Sequence, residues 1–308
     1  MLQESETLEG SIDEPMWDAF DAKDLDALRT LLEHGSDANL ADEDGETMLM
    51  TACLLCCTSD VYVEIMKCLL SHGADPNCAC GDGTLVLLEA SRSGNIDVVR
   101  LLLDHHADPN IRNPKGDTAL IKASKHGYLD IVQCLVQHGA DPNIGNEGGT
   151  TALLWACSNG HIEVVKWLLD HGADPNLVHE YGEPAIVSAS LGHLDIVRLL
   201  LDRGVDPNLG NDNGDTALTR ACSDGYLDIV RLLLDHGADP NLVHEYGNPA
   251  IVSALLGHHL DIVRLLLEHG ADPNQKGKDY TAFEVASWSK ETGMTCLLNE
   301  YNHHHNQE

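Results

Sequence analysis

Six of the ten cysteines fall in one stretch: Cys53, Cys56, Cys57, Cys68, Cys78 and Cys80. Cys53 and Cys56 have Cys-x-x-Cys spacing, and Cys78 and Cys80 have Cys-x-Cys spacing. Such thiols could hold zinc or sense oxidants. The competing reading is that they are small core or loop residues. Cys53 and Cys68 fall where helices would pack, and Cys78 and Cys80 fall in the loop that follows. Asp and His also recur at fixed offsets along the chain, which invites a reading as acid–base pairs. A local reading competes there too. Asp can accept backbone N–H bonds at a turn, and His at a helix C-terminus suits the helix dipole. His303, His304 and His305 could bind a metal weakly, or simply belong to a polar tail. There is no Gly-rich phosphate loop before a helix and no Gly-x-Ser-x-Gly turn. The expectation is no enzyme, no cofactor and no dedicated metal site.

The elements that carry these residues repeat. The phrase His-Gly-Ala-Asp-Pro-Asn begins at His72, His138, His171, His236 and His269. Variants occupy residues 33–39, 106–110 and 203–208. The Asp of each copy is Asp37, Asp75, Asp108, Asp141, Asp174, Asp206, Asp239 or Asp272. The step is 33 residues, except for one of 38 and one of 32. A fixed period of this size predicts stacked repeats.

Each unit reads as two short helices and a loop. Thr118, Thr151 and Thr216 sit where they can cap the first helix. Gly127, Gly160 and Gly225 end it. An apolar pattern at helical spacing follows, with an acidic residue in its first turn, as at Asp97, Asp130 and Glu163. His and then Gly form the stop signal. The second repeat carries five extra residues, and residues 56–63 are expected to bulge between its helices. Residues 143–207 and 208–273 look like a duplicated pair, 65 residues apart. In both copies Pro184 or Pro249 replaces the capping Thr. Pro suits the first helical position, so the cap is expected to move back to Glu183 or Asn248.

These residues resemble the ankyrin repeat family over roughly residues 15–298. The Thr-Pro-Leu-His, Gly-His-Leu-Glu and Gly-Ala-Asp-Val-Asn pattern of that family is visible in nearly every unit. Ala119, Ala152 and Ala217 stand in place of its Pro, and Ile121, Leu154 and Thr219 in place of its His. The resemblance implies an all-α ankyrin-repeat solenoid of about eight helix-turn-helix units with projecting β-hairpin loops. It also makes the Asn that closes each phrase a candidate for hydroxylation. Residues 1–14 read as an acidic tail, 16–40 as an N-terminal cap lacking a full first helix, 280–298 as a C-terminal cap with a short second helix, and 299–308 as a polar tail.

Composition narrows the partners. Fifty acidic residues against 18 Lys plus Arg give a net charge of −32. Nucleic acid and anionic membrane are poor matches for that charge. Aromatics are only 4% of the chain, so the core is expected to be many small Leu, Val, Ile and Ala interfaces. The longest apolar run, residues 48–57, is too short to span a bilayer. No secretory signal is recognisable, so the cysteines read as reduced thiols of an intracellular, chiefly cytoplasmic, protein.

The resemblance implies non-catalytic protein binding, as adaptor, scaffold or inhibitor, by a chain monomeric on its own. Ligands of the family usually dock on fingertips and on the concave face of the first helices. That mapping selects His179, Glu180, Tyr181 and His244, Glu245, Tyr246 on two duplicated fingers. Each Tyr either grips a partner or packs across its own hairpin. A basic island, Arg92, Arg112, Lys115, Lys122 and Lys125, either steers an acidic motif or balances neighbouring acids. Trp155 either packs within its helix or offers a concave-face contact. The rival functions are a metal- or redox-responsive module using Cys53, Cys56, Cys57, Cys78 and Cys80, and a substrate-recognition subunit of a larger complex such as a ubiquitin ligase.

Overall fold

The computed structural model describes residues 14–177, 183–244, 247–277, 280–288 and 292–305. Among these, eighteen helices follow one another as nine pairs. They are α1 (Glu14–Asp21) with α2 (Leu25–Glu33), α3 (Met48–Leu55) with α4 (Val61–Ser71), and α5 (Val86–Ser93) with α6 (Ile96–Asp104). Next come α7 (Ala119–His126) with α8 (Leu129–Gln137), α9 (Ala152–Ser158) with α10 (Ile162–Asp170), and α11 (Ala185–Ala189) with α12 (Leu194–Asp202). The last are α13 (Ala217–Asp224) with α14 (Leu227–Asp235), α15 (Ala250–Leu256) with α16 (Leu260–Glu268), and α17 (Ala282–Trp288) with α18 (Thr292–His305).

The chain divides into two compact units. One holds residues 1–123 and 130–141, the other residues 124–129 and 142–308. Within each, first helices stack on first helices and second on second. In unit 1 α3 lies against α5, and α4 lies between α2 and α6. In unit 2 the rows are α9, α11, α13, α15, α17 and α10, α12, α14, α16, α18. This is the expected all-α repeat architecture. Its core is made of small interfaces, such as Val98, Val99 and Leu102 on α6 and Ile229, Val230 and Leu233 on α14.

Local chemistry ends most of the helices where the sequence indicates. Thr118, Thr151 and Thr216 accept N–H bonds from residues three positions on. Most second helices close in a Schellman pattern: at α4 the Ala74 N–H reaches the Leu69 carbonyl and the Gly73 N–H the Leu70 carbonyl. The C-cap His adds a bond to the carbonyl four residues back, 2.8 Å for His72, His138, His236 and His269. The residue after this cap must be left-handed. It is Gly everywhere except at His106, where φ is 66°. A side chain in that region costs roughly 1–2 kcal/mol. Glycine also gains unfolded-chain entropy, which offsets part of the relief. His106→Gly is therefore expected to stabilise unit 1 by about 0.5–1 kcal/mol, read as a higher urea midpoint at unchanged slope.

The closing Asn ties neighbouring repeats together. Asn110 accepts from the Asp141 N–H at 2.8 Å and donates to the Gly139 carbonyl at 2.9 Å. Asn39, Asn77, Asn143, Asn208 and Asn241 form the same double link to the next phrase. Asn176 forms neither bond. It faces the repeat with the 32-residue step, whose first helix α11 has five residues.

Five sequence expectations change. Residues 16–40 do contain a full first helix: α1 has eight residues, and its Met16 and Phe20 are buried, with Phe20 against Tyr62 at 5.7 Å. The last second helix is fourteen residues long and runs past Leu298 to His305, because nothing after Gly293 breaks it. The hairpin fingers reduce to tight turns. Four close with one isolated antiparallel bridge each. The turns at residues 113–117 and 146–150 close with two backbone bonds each and no bridge. The bulge of the second repeat is shorter than residues 56–63. Residues 56–60 form it, and the remaining extra length makes α4 eleven residues long. Finally, Pro184 and Pro249 are themselves the N-cap residues of α11 and α15, and no side chain caps either helix. Glu183 instead accepts from the Ser188 hydroxyl at 3.3 Å, and Asn248 Oδ1 is buried with no hydrogen-bond partner.

Candidate functional site

The repeats can be laid over one another, and most positions then read the same. Two positions on the first helix do not. The fourth residue after the cap is Thr51, Glu89, Lys122, Trp155, Ser188, Arg220 or Ser253. The seventh is Leu54, Arg92, Lys125, Ser158, Leu191, Ser223 or Leu256. The two are three residues apart and so share a helix face. Burial does not explain their variety, since most of the first row is half-buried and most of the second exposed. Leu54 and Leu256 leave 44% and 50% of their surface in water, so hydrophobic choice here is not set by the core.

In unit 2 these rows shape a groove of about 330 Å³ lined by Leu154, Trp155, Glu183, Ser188, Leu191 and Arg220, among others. Trp155 is half-buried, and Lys125 Nζ lies over its ring at 4.1 Å. That is a cation–π pair. Arg220 reaches Asp215 at 3.1 Å and Glu183 at 3.7 Å through Nη2. Its Nε is buried with no hydrogen-bond partner. Sequence reasoning passed over Arg220. The signal was the 65-residue duplication, which sets Arg220 on the Trp155 position.

The basic island separates into different roles. Arg92 pairs with Glu89 at 2.5 Å and Lys122 with Asp117 at 2.5 Å. Arg112 Nε donates to the Gly116 carbonyl. Lys125 covers Trp155, and Lys115 is exposed at a turn. Arg92 and Lys122 are thus each paired with a carboxylate of their own repeat. His179, Glu180, Tyr181, Glu245 and Tyr246 lie outside the described residues. His244 is placed: its Nε2 is buried without a hydrogen-bond partner, and its ring fills the space above Gly210.

The cysteines do not form one cluster. Cys78 lies 3.6 Å from Thr47, which caps the start of α3. Cys56 is the residue that ends α3. The two ends are separated by an eight-residue helix, about 12 Å. Among the described residues no group of three or more His, Cys, Asp or Glu is placed to hold a metal ion. The metal reading of Cys53, Cys56, Cys57, Cys78 and Cys80 is therefore not supported by the geometry. All ten cysteines are free thiols. Burial pushes Cys68, Cys78, Cys80, Cys134, Cys157 and Cys222 up, away from the thiolate form.

Stacked pairs, the Asn links and the loop phrase agree with comparisons to known proteins. The family described as ankyrin repeats in three copies matches residues 16–113, 87–179 and 185–277. The chain belongs to the ankyrin repeat family. A crystal structure of the human ASB11 ankyrin repeat domain shares the fold, with a TM-score of 0.62 and 24% identity over 69% of this chain and 96% of that one. A comparison with curated proteins gave no match. Ankyrin repeats are generally protein–protein interaction modules and typically non-catalytic. Among the described residues no helix is long and apolar enough to cross a membrane.

Proposed function

We propose that the chain is a non-catalytic adaptor, acting inside the cell, that holds a protein partner on the variable face of its first helices. In unit 2 the contact centres on Trp155, Leu191 and Arg220. The observation that carries this reading is the groove at Trp155, where residue types vary while the repeat around them stays constant. Trp and Arg dominate interface energetics when desolvated in a well-packed pocket. The Arg220 Nε, buried without a hydrogen-bond partner, is a donor that a partner carbonyl or carboxylate could satisfy. The scaffold supplies preorganisation, because the first helices are already fixed and little entropy is lost on docking. Ten free thiols fit a reducing compartment.

The test is affinity capture from a lysate with the parent chain, and with Trp155→Ala and Arg220→Ala variants shown to be folded by circular dichroism. A partner captured by the parent is expected to weaken at least about tenfold in each variant. Undiminished capture by both variants would refute the groove as the site. A parallel Tyr181→Ala, Tyr246→Ala double variant then reports on the duplicated fingers.

A further inference from the structure

At three junctions between the two helices of a repeat one arrangement recurs. A Gly ends the first helix, and an imidazole from the next repeat lies over it. His161 covers Gly127, His193 covers Gly160 and His259 covers Gly225. Each ring also bonds the chain it covers, Nε2 meeting the carbonyls of Lys125, Ser158 and Ser223 at 3.1–3.2 Å. At Gly192 the ring of Tyr226 takes the place of the imidazole. The second repeat breaks this arrangement twice. Its Gly position holds Cys56, and the residue that reaches back from the third repeat is Asn95. The smaller amide leaves room for the thiol. Asn95 Nδ2 donates to Cys56 Sγ at 3.2 Å, while Asn95 Oδ1 caps α6 through the Val98 N–H.

The sulfur of Cys56 thus replaces a carbonyl as acceptor, and it does so beside an open groove. Cys53, Cys56 and Cys57 line that groove with Glu89, Asn95 and Asp97. Cys56 itself is 8% exposed and Cys53 3%, while Cys57 is open to solvent. The neighbouring Cys53 thiol lowers the Cys56 thiol most. The Asn95 amide and the N–H groups of Cys56 and Cys57 add to it against burial, and the thiol comes down to about 6. Cys56 in turn, with burial, pushes Cys53 up. One contact opposes the shift: when protonated, Cys56 donates to the Cys53 carbonyl at 2.9 Å. The facing charged groups are Glu89, held by Arg92, and Asp97.

We propose that this groove is a thiol-modification site in which Cys56 takes up a low-molecular-weight disulfide of positive charge as a mixed disulfide. The Cys56 thiolate attacks one sulfur of the reagent. The reagent S–S bond breaks as the Cys56 S–S bond forms, and the second half leaves as a thiolate and takes a proton from water. Cys53 is buried and protonated, so it does not resolve the adduct, which persists. The carboxylates of the groove and the net charge of −32 select against an anionic reagent.

Cystamine, a cationic disulfide, is the probe, with the full chain and each cysteine followed by peptide mass spectrometry. At pH 6 a thiol of pKa about 6 is half ionised, against about 0.3% for an ordinary thiol. Its thiolate is about tenfold less nucleophilic in compensation. The net expectation is about tenfold faster labelling of Cys56 than of exposed Cys296 at pH 6, with the order reversed at pH 9. Asn95→Ser keeps a capping residue for α6 but removes the amide donor. It is expected to slow Cys56 at pH 6 and abolish the crossover, as is Cys53→Ala. Glutathione disulfide, which is anionic, is expected to react more slowly than cystamine at low salt, with the gap closing as salt rises. Cys57 or Cys296 labelling first at pH 6, or a Cys56 rate indifferent to both substitutions, overturns the proposal. Neither outcome bears on the partner groove of unit 2.

Discussion

Gly160→Ala is expected to destabilise unit 2 by about 3 kcal/mol. Gly160 has φ of 76°, a region where a Cβ costs roughly 1–2 kcal/mol. The added Cβ would also lie 2.6 Å from Cε1 and Nδ1 of His193. The ring must leave, and its bond to the Ser158 carbonyl, 3.1 Å long, goes with it. A lost hydrogen bond adds about 1 kcal/mol. Gly172→Ala separates the two causes. It has φ of 93° with nothing within 4 Å of its Cβ, so only the backbone term applies. Urea titration should therefore place Gly172→Ala about 1–2 kcal/mol below the parent and Gly160→Ala lower still. Equal losses would mean that the imidazole over Gly160 contributes nothing to joining the repeats.

The Asn links predict the second large effect. Asn208→Ala removes two bonds to the next phrase, one of 2.8 Å from the Asp239 N–H and one of 3.3 Å to the Gly237 carbonyl. At about 1 kcal/mol each, the loss is about 2 kcal/mol. Asn176 occupies the same place in its phrase and forms no such bonds. Asn176→Ala is expected to stay within about 0.5 kcal/mol of the parent. Matched losses at the two positions would show that the Asn acts within its own turn and not between repeats. A weak link at Asn176 also locates where unit 2 is expected to open first, which hydrogen exchange of the Asp206 and Asp239 amides would report as faster exchange at Asp206.

These two tests sit on a feature visible from the period alone. The spacing of Asp and Asn marked the loop phrase, and the odd steps of 38 and 32 marked the irregular repeats. The structure shows what each irregularity does. The longer step replaces a Gly cap with a five-residue connection that begins at Cys56. The shorter step leaves α11 at five residues and breaks the Asn link.

The sequence by itself determined the repeated helix pair, its order and most of its caps, but not the full first helix α1 or the Pro caps of α11 and α15. Capping Thr, helical apolar spacing and the His–Gly stop act within about ten residues, so each unit states its own local structure. Tertiary structure alone decided the chemistry of particular side chains. Lys125 covers Trp155, Arg220 keeps a buried Nε without a hydrogen-bond partner, and Cys56 receives Asn95 in place of an imidazole over glycine. Each of these joins residues 30 to 39 positions apart, or leaves a donor unmatched across such a distance. The period tells which positions meet. Side-chain size at the meeting point decides whether a ring, a sulfur or a vacant groove results.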